Sequence, residues 1–199
     1  MRIAVIGATG TIGSAVVETL KNEHEIIAVG HRSGKYTVDI SSQDSIRSLY
    51  KSIGKVDAVV SCAGSAAFKP LGQLADDDWN FSLGNKLMGQ VHLVTLGTDS
   101  IRDGGSFTLT SGVLAQEPMV GGTAISLVNA GLEGFTRSAA LELPRGIRIN
   151  VVSPPWVSET LKAMGQDPGR GLPASVVAKA YVKSVAERIT GQVIDARKA

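Results

Sequence analysis

The 199-residue chain is expected to fold as a single doubly wound α/β domain, a parallel sheet with helices on both faces. Three observations predict this. Short apolar runs alternate with segments of helical spacing from end to end, the pattern of right-handed strand–helix–strand crossovers. Those runs are built from Ile, Val, Leu and Ala, with aromatics at only 5%, as suits strands buried on both faces. Finally, no repeat, low-complexity tract or linker divides the chain, and its length suits one core, so residues 1–199 are read as one domain.

The elements follow in order. RIAVIG (2–7) is a first strand ending on glycine, and IGSAVVETLKN (12–22) a helix with a charged tail. EIIAVG (25–30) and YTVDI (36–40) are the next strands. SQDSIRSLYKSIG (42–54) opens on capping residues and closes on glycine, which predicts a helix with both stop signals. VDAVVSCAG (56–64) is a buried strand. Residues 76–101 read as one long helix whose DDD start complements the positive helix N-terminus. GSFTLTSG (105–112) is a strand, 123–143 a helix, and IRINVVSPP (147–155) a strand stopped by two prolines. A helix over 173–189 and an edge strand over 190–195 complete the fold, with GQDPGRGLP (165–173) as a loop near a ligand.

Composition narrows the function. A net charge of +2, with basic residues spread along the chain, provides no stripe for nucleic acid. One cysteine and three scattered histidines support neither a disulfide nor a metal site. No apolar run is long enough to span a bilayer, and the apolar N-terminus reads as strand and turn rather than signal peptide. A cytoplasmic protein without membrane or nucleic-acid partners is expected.

In GATGTIG, Gly7, Gly10 and Gly13 follow a strand and open a helix. Unpaired N–H groups and the helix dipole attract phosphate there, glycine admits the close backbone approach, and the third glycine packs the helix down. This context makes the segment the nucleotide loop of a Rossmann-like domain, with Gly7, Thr9, Gly10, Thr11, Ile12 and Gly13 as candidate contacts. An NAD site places an acid at the end of the second strand. Here AVGHRSG (28–34) has none and offers Arg32, whose guanidinium suits a 2′-phosphate. NADP(H) is therefore expected over NAD(H), the alternative being that Arg32 is a solvated turn residue.

With these residues assembled, the chain resembles the short-chain dehydrogenase/reductase family over nearly its whole length. VDI (38–40) is similar to the family's adenine-contacting segment, which implies Asp39 and Ile40 as contacts. SCAG (61–64) resembles the Asn-Asn-Ala-Gly strand end, with Cys62, Ala63 and Gly64 in its last places. Asn85 matches the helix asparagine of the catalytic tetrad and Ser111 in LTSG the catalytic serine. NAGLEGFTRSAALELPRGIRINVVSPP (129–155) resembles the family's following helix, strand and Pro-Gly turn, which places Pro154 at the cofactor. Pro155 stands where the family usually has glycine, and Thr160 lies one place beyond the usual threonine.

The same register puts Ile125 at the family's tyrosine position and Asn129 at its lysine position. From Gly121 to Leu132 nothing titrates. None of Tyr36, Tyr50 and Tyr181 is near in sequence, and Lys86, about 100° round an α-helix from Asn85, is expected to be a surface lysine. Two readings follow. One is an NADP(H)-binding oxidoreductase moving hydride to or from a small carbonyl or alcohol, with reduced or altered competence. The other is a non-catalytic NADP(H)-binding sensor or scaffold. A homodimer or homotetramer is expected through the apolar helix over 123–132 and the helix over 76–101. The substrate is not named by any charged cluster.

Overall fold

The computed structural model describes all 199 residues. Seven strands form one parallel sheet in the order β3-β2-β1-β4-β5-β6-β7: β1 Arg2–Ile6, β2 Glu25–Gly30, β3 Tyr36–Thr37, β4 Val56–Ser61, β5 Ile101–Thr110, β6 Arg148–Ser153 and β7 Val193–Asp195. The predicted doubly wound architecture is thus present. Strand order reverses between β1 and β4, and in open sheets of this kind ligands bind beyond the strand C-termini at that switch point.

Two apolar cores hold the layers. On one face α1 (Thr11–Leu20) and α7 (Ala174–Ala186) bury Val16, Leu20, Val177 and Tyr181 against Ile3, Val5 and Val60. On the other, α2 (Gln43–Ile53), α4 (Gly89–Gly97) and α5 (Thr123–Glu142) bury Ile46, Leu49, Leu93 and Leu132 against Ile6, Phe107, Leu109 and Val151. Ser42 caps α2 by accepting from Ser45 N, and Gly54, at φ 67°, ends it. No helix is long and apolar enough to cross a membrane.

Three expectations need correction. The third strand covers only Tyr36–Thr37, because the Asp39 carboxylate accepts from Ser41 N and Oγ and turns the chain. β5 starts at Ile101, four residues early, with a register shift against β4 between Val56 and Ala58. Most consequential is the segment read as one helix over 76–101. It consists of α3 (Asp76–Ser82), a π-helical turn (Leu83–Met88) and α4. The wider π turn changes which side chains face the sheet, and such turns concentrate at functional sites.

Candidate functional site

The cleft lies beyond the C-terminal ends of the central strands and consists of two adjoining cavities. Ala63, Gly64 and Ser65, which follow β4, line both. The smaller, about 300 Å³, includes Gly7, Gly30, His31, Asp39, Ile40 and Asn85. The larger, about 370 Å³, includes Ile12, Lys86, Ser111, Ile125, Asn129 and Trp156.

The glycine loop is built for close approach. Gly7 sits at φ 79°, and a Cβ there would stand 3.0 Å from the Cys62 backbone. At Gly13 a Cβ would come within 2.0 Å of Gly7 O, so this glycine lets α1 pack onto the loop. The first bond of α1 runs from Ser14 N to Gly10 O, and no side chain caps the helix. The amides of Thr11, Ile12 and Gly13 therefore remain as the unpaired donors of its N-terminus. Thr9 is exposed and lines a separate hollow with Gly30 and Ser33. Arg32 is exposed beside His31 and belongs to none of the protein's ion pairs. Hydrogen bonds from the Ser41 side chain and backbone hold the Asp39 carboxyl below the usual aspartate range.

At the larger cavity, Ser111 follows β5. The buried Gln90 side chain pins the preceding residue, accepting from Thr110 N at 2.9 Å and donating to Thr110 O at 2.9 Å. Ser111 N donates to Val152 O of β6. Its hydroxyl is directed to Glu133 Oε1 at 3.3 Å and Val152 O at 3.4 Å, and Gln116 Nε2 donates to the other Glu133 oxygen. One turn apart on α5, Ile125 and Asn129 both line the wall. Asn129 Nδ2 donates to Gly112 O, while its buried Oδ1 has no partner. Pro154, Pro155, Trp156 and Thr160 form the opposite side, and the Phe68 ring meets Trp156 edge-on at 6.2 Å.

Both neighbours on the π-helical turn depart from their expected places. Asn85, expected beside Ser111, faces the smaller cavity, where its Oδ1 accepts from Ser65 N at 2.8 Å. Lys86, expected at the surface, is half-buried in the larger cavity and donates to Ser111 O at 3.3 Å. The 100° offset of an α-helix does not hold where the helix widens to π geometry. Burial pulls the Lys86 ammonium down to about 8.

No tyrosine lines the larger cavity. Tyr181 comes from the far side of the sheet. It is fully buried, pairs with Thr110 Oγ1 at 2.7 Å, and has its hydroxyl pushed well above the ordinary value by that burial. Glu133 escaped sequence reasoning, although it is the first titratable residue after the uncharged stretch and repeats the Ile125 and Asn129 spacing. A helix face read as wholly apolar thus ends in a buried carboxyl group.

A family model for enoyl-(acyl carrier protein) reductase matches residues 7–192. A 3-oxoacyl-(acyl-carrier-protein) reductase of Buchnera aphidicola is 30% identical, the alignment covering 77% of this chain and 72% of that one. A hydroxynaphthalene reductase of Aspergillus fumigatus is 27% identical over 71% of this chain but only 55% of its own. Among solved structures, a Listeria innocua protein superposes with a TM-score of 0.94 at 45% identity, covering 98% of both chains. A small-chain dehydrogenase in complex with NADPH gives 0.87 at 27% identity, covering 98% of this chain and 95% of its own. Together with the seven-stranded sheet and the glycine loop at its switch point, these likenesses make the chain a member of the short-chain dehydrogenase/reductase family of oxidoreductases.

Proposed function

We propose that the protein binds NADP(H) in the cleft and moves hydride to or from a small carbonyl or alcohol, with acid chemistry altered from the family's. The observation that carries this reading is the fit of the glycine cradle. Added Cβ atoms at Gly7 and Gly13 would meet backbone at 3.0 and 2.0 Å, and three helix amides remain free to hold a diphosphate. Asp39, Ile40 and Gly64 would border the adenosine, with Cys62, Ala63 and Pro154 toward the nicotinamide end. The unpartnered Asn129 Oδ1 is an acceptor of the kind a ribose hydroxyl satisfies. A bound reduced nicotinamide supplies hydride. Ser111, on turning its hydroxyl from Glu133, hydrogen-bonds the substrate oxygen, while Ile125, Val157 and Trp156 exclude water. Asn85 acts on the loop after β4 through Ser65 rather than on the reacting atoms. The absence of tyrosine from the cavity favours a second reading, an NADP(H)-occupied sensor without turnover. Titration with NADPH, followed by its oxidation against a panel of aldehydes and ketones, separates the two.

Cofactor choice has its own test. Arg32 is an unpaired cation after β2, so Arg32→Ala is expected to weaken NADPH binding roughly 10- to 100-fold, the value of a charge-assisted hydrogen bond. NADH affinity should hardly move. Equal affinities for the two cofactors in the unaltered protein would remove the basis for this assignment.

We also propose a homodimer or homotetramer. Phe81 of α3, Met88 of the π turn and Leu127 of α5 remain 48%, 38% and 47% exposed on adjoining elements. Burying apolar area there contributes on the order of 25 cal/mol per Å². Sedimentation at micromolar concentration should show the oligomer, and a monomer there would refute it.

A further inference from the structure

The larger cavity contains one cation. Lys86 is the sole Lys, Arg or His side chain lining that space. Its Nζ spends one hydrogen bond on Ser111 O and forms no ion pair. The walls around it are Ile125, Val113, Pro155, Trp156 and Val157. Gly64 is what admits it, since a Cβ there would stand 3.1 Å from Lys86 Cα and 3.2 Å from Cγ. The other candidates for a proton donor are poorly disposed. Ile125 has no proton to give, the Ser111 hydroxyl is turned toward Glu133 and Val152 O, and the Tyr181 hydroxyl is sealed beneath Thr110.

We propose that Lys86 is the proton donor of this site, delivering a proton from its ammonium to the carbonyl oxygen of the substrate as hydride arrives at the carbonyl carbon. This rests on the oxidoreductase reading above. In the balanced step, a dihydronicotinamide is the reductant and loses two electrons with its hydride. The carbonyl π bond breaks, C–H and O–H bonds form, and Lys86 is left as a neutral amine that regains its proton from water. The reverse direction uses the amine as base.

The electrostatics suit the task. A donor works best when its pKa lies near the working pH, and burial brings this ammonium to about 8. From β4, the Cys62 thiol is pushed up to about 12 by burial and stays neutral. From α5, Asn129 is neutral, and Glu133 stands behind Ser111 with its oxygens taken by Ser111 Oγ and Gln116. Beyond the Ser111 carbonyl, no countercharge therefore compensates the lost solvation of the ammonium.

The test uses the full chain and NADPH, with ethyl acetoacetate, benzaldehyde and cyclohexanone as probes. Lys86→Met should bind NADPH as the unaltered protein does while its oxidation rate falls roughly 10²- to 10⁴-fold. Lys86→Arg keeps the charge but holds its proton too tightly to give it, and should fall nearly as far. In the unaltered protein the rate should be level below pH 8 and decline above it. Independently of turnover, NMR of ε-¹³C lysine should show one signal, missing in Lys86→Met, that titrates near 8 rather than the ordinary value of about 10.4. Failure to bind NADPH would sink the oxidoreductase reading itself. Binding without oxidation of any probe, full activity in Lys86→Met or Lys86→Arg, or an ordinary lysine titration would each overturn the donor assignment and leave cofactor binding intact.

Discussion

Gly13→Ala is expected to lower the unfolding temperature by about 6–12 °C and to abolish NADPH binding. The added Cβ would stand 2.0 Å from Gly7 O, 2.7 Å from Gly7 C and 3.0 Å from Ala8 Cα. All three are backbone atoms, so no rotamer change relieves the overlap. Either α1 rises from the loop or the loop deforms. Lifting α1 disturbs Val16 and Leu20 in the core that they share with α7. Overpacking of this kind costs about 3 kcal/mol or somewhat more, and each kcal/mol is worth about 2–4 °C in a domain of this size. Gly10→Ala is the matched control. Its Cβ meets only Gly7 O at 3.4 Å and its φ is −81°, so the fold should survive while the close approach of a diphosphate is obstructed. Calorimetry with and without NADPH reads both variants. A Gly13→Ala protein melting within about 2 °C of the unaltered one would show that the loop is not held by this packing.

The glycine loop illustrates what a sequence states openly. Spacing of three glycines between a strand and a helix already implies the packing role of Gly13, because only a backbone without a Cβ fits. The buried strands are legible for a similar reason, since parallel strands covered on both faces carry short apolar runs, whereas their order in the sheet is seen only in the structure. Lys86 was illegible because its place depends on the hydrogen-bond register of a helix, and the change from α to π geometry over Leu83–Met88 leaves no local signal in LGNKLM. The same turn sends Asn85 to Ser65. Glu133 was hidden differently. It is the first charged residue after the uncharged start of α5, and only the end of β5 beside it distinguishes a buried carboxyl group from an exposed one. The early start of β5 at Ile101 has a simpler cause, as Ile101 pairs with Val56 of β4 ahead of an irregularity that separates it from the apolar run.

The second large effect is expected from moving the cation back onto α5. In the family pattern, tyrosine and lysine occupy the places of Ile125 and Asn129, and here both places line the larger cavity with Ser111. Asn129→Lys alone would introduce a second ammonium into the cavity that Lys86 already occupies. At about 6 Å and an effective dielectric of 20, their repulsion is about 3 kcal/mol, enough to displace or neutralise one of them. The productive design therefore begins with Lys86→Asn, which removes both the charge and the donor we assign, and should leave little activity. Adding Ile125→Tyr with Asn129→Lys to that background is expected to raise the NADPH oxidation rate roughly 10²- to 10⁴-fold, the contribution of a positioned general acid. Ile125→Tyr by itself should recover much less, because the lysine acts through the tyrosine and groups acting as a unit are not additive. The pH profile should also change hands, its upper limb following the new tyrosine instead of Lys86. The new lysine has an available anchor, since the Gly112 carbonyl that now accepts from Asn129 Nδ2 would accept from its ammonium. If the triple variant binds NADPH yet is no faster than Lys86→Asn, then Ile125 does not stand where a proton is needed, and the register that equates it with the family's tyrosine is wrong.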